Sequence, residues 1–380
     1  MSGLNWTTAG ESHGQALVGI LEGLPAGLAL SIPRIDEELR RRQGGYGRGG
    51  RMAIESDSVR VLAGLRAGLT LGSPLALMIE NKDAKIEELG VPKSPRPGHA
   101  DLAGCQKYGK ADPRAILERA SARETAMRVA LGAAARQVLE AFGVSILGHV
   151  VELGGKAVVP FEGDSEAAGT LRDASDFAAL DPNVEPAWRE LVDSAKAAGD
   201  TLGGVFEVRA TGLPPGLGTF QDPRGRLTSK LGAAVLAIPA IKGVEFGLGF
   251  EAARMHGSEV HDAIETSQGQ EGAFGRFGRS TNRSGGLEGG MSTGAPLILR
   301  AAMKPISTLR KGLATVEFGG KGAESTYQRS DVTAVPAASV VGENVVALEL
   351  ASAFLESFGG STMDRVRGSF EAWREVAAKL

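Results

Sequence analysis

The phrase G-L-P-x-G-L occurs twice in this 380-residue chain, each time after a β-rich run. QALVGIL (15–21) leads into GLPAG and then LALS, and the phrase returns in GVFEVRATGLPPGL (204–217). A strand closed by the same Gly/Pro turn in both halves points to an internal duplication. The fold is then one of related units sharing a core, and no Pro/Ser-rich linker, charge block or low-complexity tract separates them. One compact unit is expected.

The rest of the pattern is mixed. PLALMIE (74–80), GVSILGHVVE (143–152), GVEFGLG (243–249) and APLILRAAM (295–303) read as short strands. A helix is expected over Asp36 to Arg42, with acidic residues in its first turn and arginines in its last, as the macrodipole favours. In SARETAMRVALGAAARQVLEAF, Ser121 and Glu124 fit a capping box, and Met127, Ala130, Leu131 and Ala134 share an apolar face. Further helices are expected over 223–241, interrupted near Pro239, over about 340–358, and from about Met363. Sheets flanking buried alanine-rich helices, an α+β fold, fit this better than regular βαβ alternation.

A net charge of −3 gives no global reason for nucleic acid or membrane binding, so a basic patch here is a local device for an anionic ligand. Cys105 is the only cysteine, and no Cys/His cluster has metal-ligand spacing. The first residues lack a signal-peptide pattern and no apolar run reaches membrane length, so a reducing, cytoplasmic setting is expected.

Four segments carry chemistry. LRRRQGGYGRGGR sets Arg40, Arg41, Arg42, Arg48 and Arg51 around five of the 54 glycines, and guanidinium forks suit phosphate and carboxylate. RPGHAD puts Arg96, His99 and Asp101 on a rigid turn, where an imidazole can donate a proton. Near it in kind is the Ser121 helix start, an anion-favouring terminus flanked by Arg119 and Arg123. SGGLEGGMSTGAPLILRAAMKPIST (284–308) offers close backbone approach, a lysine and hydroxyls, and in YQRSDVTAVPAAS Arg329 and Asp331 alternate so as to point the same way. Each has a plain alternative: a solvated turn, a hairpin, a salt bridge. An RGG-like RNA contact and a dinucleotide fingerprint at GLGFEA (247–252) also stand as competitors, though the latter lacks the sustained helix it requires. Together the segments describe a site for a small polyanion, without a triad nucleophile.

The ordered set TAGESHGQAL, RRRQGGYGRGGRM, RPGHADL, RASARETAMRVALGA, IKGVEFGLGF, GGLEGGMSTG, MKPIST and RSDVTAVPAAS resembles the chorismate synthase family over nearly the whole chain. The resemblance implies a β-α-β sandwich of two antiparallel sheets around helices, with an internal pseudo-repeat, as one domain over 1–380 carrying a subgroup insertion at about 160–200. It implies an anti-1,4-elimination of phosphate from 5-enolpyruvylshikimate 3-phosphate, giving chorismate, with reduced FMN and no net redox change. His13, His99 and Asp331 take the catalytic positions. Substrate contacts fall on Ser12, Arg42, Arg48, Arg51, Arg96, Ser121, Arg123 and Arg329. Flavin contacts fall on Arg119, Ala120, Ser121, Pro239, Ala240, Gly289, Lys304, Pro305, Ile306, Ser307, Thr308 and Arg329. Arg42 and Arg48 match NADP positions of some members, which leaves NADPH or an external flavin reductase as the source of electrons. Pro239 stands where relatives often carry Asn or Gln, so any flavin contact there is through its carbonyl or packing. A homotetramer is implied, with neither nucleic acid nor membrane as partner. Glu11, beside His13, either orients the imidazole or supports the turn.

Overall fold

A computed structural model describes residues 3–49, 56–110, 112–161, 165–266, 274–325 and 331–379. Strands β1 (Asn5–Ala9), β2 (Ala16–Glu22), β3 (Arg60–Ala63) and β4 (Leu75–Glu80) form an antiparallel sheet in the order β1-β2-β4-β3. A second antiparallel sheet holds β5 (Ser145–Leu153), β6 (Lys156–Ala157), β7 (Gly204–Thr211), β8 (Ile241–Phe246) and β9 (Leu297–Met303) in the order β8-β9-β7-β5-β6. The longer helices are α1 (Ile32–Gln43), α2 (Asp101–Tyr108), α3 (Arg114–Arg119), α4 (Thr125–Glu140), α5 (Ser165–Ala174), α6 (Glu185–Ala197), α7 (Leu227–Leu236), α8 (Val335–Phe358) and α9 (Met363–Ala377). The fold is α+β, with antiparallel sheets, as expected.

Alternation decides which face of each sheet is buried. Leu17 and Leu21 of β2 and Leu75, Leu77 and Ile79 of β4 are buried, while Ile20, Glu22 and Glu80 are exposed. On the buried face α4 packs against β2 and β4; α8 packs against β5 and β7; and α4 and α8 pack on each other. Their approach is close enough to need glycine, since a Cβ on Gly132 would stand 2.2 Å from the Asn344 carbonyl oxygen. α8 is long and apolar enough to cross a membrane, but 94% of its apolar window is buried, which makes it the core helix of this fold.

Proline accounts for most differences in helix boundaries. α1 begins at Ile32 and α8 at Val335, each earlier than periodicity indicates, because Pro33 and Pro336 sit in the first turn, where no N–H is needed. α7 ends at Leu236, before Pro239. The capping box before α4 is half made: the Ser121 hydroxyl accepts from the Arg123 N–H, but Glu124 is drawn instead to Thr8 Oγ1 at 2.6 Å and to Arg128. GLGFEA runs into a 3₁₀ turn, Gly249–Arg254, and not the α-helix that a dinucleotide site requires.

The doubled phrase has doubled geometry. Gly23 and Gly27 after β2 have φ of +91° and +85°; Gly212 and Gly216 after β7 have +76° and +92°. Thr70 Oγ1 donates to the Pro25 carbonyl at 2.6 Å and accepts from the Leu28 N–H at 3.0 Å. Ser292 Oγ donates to Pro214 at 2.6 Å and accepts from Leu217 at 2.8 Å.

Candidate active site

One cavity of about 870 Å³ gathers the β1–β2 turn, the end of α1, the glycine loop, the 96–100 turn, the start of α4, the α7–β8 junction, the residues after β9 and the beginning of α8. Its size is typical of sites that enclose small-molecule ligands. Of the residues singled out from the sequence, Ser12, His13, Arg42, Arg48, Arg96, His99, Ala120, Ser121, Arg123, Pro239, Ala240, Lys304, Ile306, Ser307, Thr308 and Asp331 all line it.

His13 lies in the β1–β2 turn. Gly10 has φ of +112°, and a Cβ there would meet the Ala16 carbonyl oxygen at 2.3 Å, so the sharp entry to the turn depends on glycine. Asn81 holds the turn by donating to the Glu11 and Gly14 carbonyls at 3.1 and 2.8 Å. Glu11 therefore supports the turn through its backbone. The carboxylate at the imidazole is Glu118 of α3, fully buried, with both oxygens 3.0 Å from Nδ1 and one accepting the His13 backbone N–H at 2.8 Å. Burial raises the Glu118 pKa, but the bonds from the His13 ring and backbone, with Arg114, outweigh it and hold the carboxyl below its ordinary value. Nε2, on the far side of the ring, is 3.7 Å from Asp83.

His99 has a comparable support. Its Nδ1 is 2.6 Å from Asp101 Oδ1, and Asp101 also accepts from the Arg96 backbone N–H and from Arg96 Nε at 2.8 Å. Burial again opposes ionisation of Asp101, but hydrogen bonds with His99 and Arg96 keep its carboxyl far below the usual range. The turn that aligns the three needs Gly98, at φ +73°.

The arginines are bound from behind. Arg123 donates through Nε to Asn81 Oδ1 at 2.9 Å and through Nη1 to both oxygens of Asp57. Arg48 is paired with Asp331, whose other oxygen accepts the Gly49 N–H at 2.6 Å. Arg42 donates to Thr125 Oγ1 at 3.0 Å and to the Ala122 carbonyl at 2.7 Å, but among the described residues its buried Nη1 makes no hydrogen bond and lies 3.9 Å from Asp57 Oδ2. Burial first, then Arg48 and Arg123 against the pull of Asp57, push the Arg42 pKa down to about 10. Ser121 Oγ donates to Ser12 Oγ at 3.1 Å between these groups.

At the α7–β8 junction Ala240 takes φ of +70°, a strained conformation for a residue with a Cβ, and its carbonyl accepts the Lys304 N–H at 3.0 Å. Burial and the nearby Lys242 lower the Lys304 pKa. Arg119 does not line the cavity; it donates to the Gly10 and Thr8 carbonyls and braces the His13 turn. Gly289 sits at the tip of the Leu287–Ser292 hairpin, and neither it nor Pro305 is a lining residue. Arg51 and Arg329 lie outside the described residues. The carboxylates Glu118 and Asp57 and the amide Asn81 were not singled out from the sequence. Their motifs name only their partners.

Tyr46 of the glycine loop docks on the segment between about 160 and 200. Its N–H donates to the Asp176 carbonyl at 2.8 Å, its hydroxyl to Asp193 at 2.9 Å, and its ring packs against both Phe177 and Arg189.

Two imidazoles backed by buried carboxylates, set among arginines in one cleft, form an arrangement suited to proton transfer on a small polyanion, the class of site that enzymes use. The family model for chorismate synthase matches residues 4–355. Chorismate synthases of Geobacter metallireducens and Desulforudis audaxviator are 49% and 50% identical, covering 97% and 98% of this chain and 98% and 97% of their own lengths. A solved structure titled as the crystal structure of chorismate synthase aligns at TM-score 0.81 and 41% identity, covering 99% of both chains. The chain belongs to the chorismate synthase family. These enzymes are carbon-oxygen lyases of class EC 4.2.3.5 that eliminate phosphate from 5-enolpyruvylshikimate 3-phosphate to give chorismate in the shikimate pathway, using reduced flavin.

Proposed function

We propose that the cavity holds reduced FMN and 5-enolpyruvylshikimate 3-phosphate together and that its residues carry the family's elimination. The observation that carries this reading is the buried Arg42 Nη1: a cationic donor that, among the described residues, makes no hydrogen bond and has only Asp57 at 3.9 Å, inside a cavity that already holds two supported imidazoles. Such a donor suits an anionic ligand.

The lining also fits the cofactor, since Leu117, Ile238, Met303 and Val341 supply apolar surface and Lys304, Ser307 and Thr308 supply donors. By resemblance the flavin is held by Lys304, Ile306, Ser307, Thr308, Pro239, Ala240, Ala120 and Ser121, with Arg329; Arg119, Gly289 and Pro305, which the same resemblance names, lie off the cavity lining. When bound, the reduced flavin supplies electron density as the C–O bond to phosphate breaks and is recovered at the end of the turnover.

The chain's residues do the rest. Arg42, Arg48, Arg96 and Arg123, with Arg51, Arg329, Ser12 and Ser121, hold the phosphate and carboxylates in register. His99 gives its proton to the departing phosphate, whose charge rises as it leaves. His13 holds a proton at Nε2 toward the flavin. Asp331, kept in place by Arg48 and the Gly49 N–H, assists removal of the ring hydrogen. Arg42 and Arg48 are the NADP candidates, and electrons come from NADPH or an external flavin reductase.

The sandwich reading is supported by α4 and α8 packing on different sheets, and the internal repeat by the paired turns at Thr70 and Ser292. Family membership supports reading the chain as a single domain over 1–380 with an insertion at about 160–200, and as a cytoplasmic homotetramer with neither nucleic acid nor membrane as partner. Anaerobic mixing with chemically reduced FMN and 5-enolpyruvylshikimate 3-phosphate is expected to release phosphate and form chorismate at catalytic flavin. No phosphate release under those conditions refutes the reading. His99→Ala is expected to lower kcat far more than it raises KM; an intact kcat with weakened affinity assigns His99 to binding alone.

A further inference from the structure

Among the buried titratable groups around the cavity, Glu118 has a feature that a simple salt bridge does not need. It holds two hydrogens of one residue, the backbone N–H of His13 at 2.8 Å and the ring Nδ1 at 3.0 Å, so it fixes both the position of the residue and the rotation of its ring. Its side chain is fully buried, whereas that of His13 retains 20% exposure to the cavity. Arg114, one turn earlier on α3, donates to the same carboxylate at 3.2 Å and to the Gly90 carbonyl. The backbone of the turn is pinned from the same helix, because the Glu118 carbonyl accepts the Ser12 N–H at 3.1 Å.

We propose that Glu118 is a positioning residue for proton transfer at His13: it locks the neutral imidazole as the Nδ1–H tautomer, so that Nε2 is the nitrogen that takes up and gives back a proton in the cavity. An ionised carboxylate only accepts, so the nitrogen facing it must carry hydrogen. Neutral imidazole in water favours hydrogen on Nε2, so the lock reverses the ordinary preference. The other charged groups that face the ring are Asp83, at 3.7 Å from Nε2, and Lys85, which pairs with Asp83 and whose N–H donates to the His13 carbonyl. Asp83 lies on the Nε2 side and does not compete for Nδ1. This inference rests on the assignment of His13 to proton transfer given above, but its first test does not use the reaction.

The full-length protein, labelled with ¹⁵N only in histidine and without flavin, is titrated by NMR above pH 8, and His13→Gln identifies the His13 signals among the five histidines. The expected result is a protonated Nδ1 and an unprotonated Nε2 in the wild-type protein. An Nε2–H tautomer, or an even mixture, overturns the proposal, and the tautomer itself is read in the wild-type protein. In Glu118→Gln the amide can donate to Nδ1, and the expected result is a shift toward Nε2–H with kcat at least 50-fold lower and KM within threefold. Glu118→Asp, which keeps the charge, is expected to recover the Nδ1–H tautomer and part of kcat. A wild-type tautomer in Glu118→Gln, or a loss shared equally between Glu118→Gln and Glu118→Asp, leaves Glu118 a structural residue and overturns the proposal. An inactive wild-type enzyme with Nδ1–H on His13 would instead count against the assigned reaction alone.

Discussion

Replacing Arg42 by Met separates the stability of this fold from its affinity for anions. Burial holds the Arg42 pKa below the ordinary arginine value, at about 10 in the folded chain. A pKa change of one corresponds to about 1.4 kcal/mol, so the buried charge destabilises the unliganded fold by about 3 kcal/mol. The sign follows from the direction: the folded state disfavours the protonated guanidinium. The penalty is therefore present in full below pH 10 and fades only as pH rises toward the ordinary arginine value. Removing the guanidinium also removes two hydrogen bonds, worth about 1–1.5 kcal/mol each. Neither acceptor is stranded, because Thr125 Oγ1 still donates to the Ala122 carbonyl at 2.6 Å. Met fills much of the volume, so gain and loss nearly cancel, and denaturant unfolding at pH 7 is expected to place Arg42→Met within about 1 kcal/mol of wild type. Substrate affinity behaves differently. A charge-assisted bond worth about 1.5–3 kcal/mol is lost, and calorimetric titration with 5-enolpyruvylshikimate 3-phosphate should show Kd raised roughly 10- to 150-fold. A loss of more than about 3 kcal/mol without ligand, or an unchanged Kd, would refute this account of Arg42.

Glu343 is fully buried on α8 and collects Arg41, Arg136, Arg172 and the Gly148 N–H. Burial raises its pKa, but the three arginines outweigh this and hold it below the ordinary carboxylate range, so its contribution is present above that range and fades as pH falls through the lowered value. Glu343→Gln is expected to cost about 3–5 kcal/mol in unfolding experiments at pH 7, with the difference from wild type shrinking under strong acid. Gly64 and Gly286 have φ of +89° and +79°, and in each a Cβ would stand 2.5 Å from a proline carbonyl oxygen, Pro74 and Pro296. Losses of about 2–3 kcal/mol are expected for Gly64→Ala and for Gly286→Ala, and a neutral result in unfolding experiments at either site would show that its backbone relaxes to admit a Cβ. Tyr46→Ala removes the contacts to Asp193, Phe177 and Arg189 and should raise KM about fivefold by loosening the loop that carries Arg48, at a cost of about 1.5 kcal/mol or less in folding stability; an unchanged KM would separate the segment at about 160–200 from the site.

Cations and imidazoles were legible in the sequence because their side-chain types announce their chemistry, and the glycines around them mark where backbone is allowed close. The groups that make them work were not. Glu118 is 105 residues from His13 and Asp57 is 66 from Arg123, and nothing in either local pattern separates these carboxylates from the many on the surface. Such pairings arise only when α3 is laid across the β1–β2 turn and when the segment before β3 folds under the start of α4. Helix interiors were legible from their periodicity, whereas the starts of α1 and α8 were not, because Pro33 and Pro336 look like breaks and act as first-turn residues. Glu11 illustrates the limit: the nearest carboxylate in sequence supplies a backbone oxygen to the turn, and the orienting carboxylate comes from another helix.

The cavity therefore contains two kinds of cation. Arg48, Arg96 and Arg123 are paired with Asp331, Asp101 and Asp57, so their charges are largely balanced and their geometry is fixed before any ligand arrives. Arg42 and Lys304 are different, since burial and neighbouring cations push both pKa values down. A ligand anion relieves that destabilisation as well as forming its own bonds, and a ligand without charge cannot. Binding energy then comes partly from the fold, which is held under electrostatic strain until the site fills. On the proposed role of His99, the same logic would favour release of phosphate on protonation: a leaving group that has taken the His99 proton carries less charge, and Arg42 and Lys304 would hold it less firmly. On that proposal, selectivity for the multiply charged substrate and release of one of its fragments would draw on the same two cations.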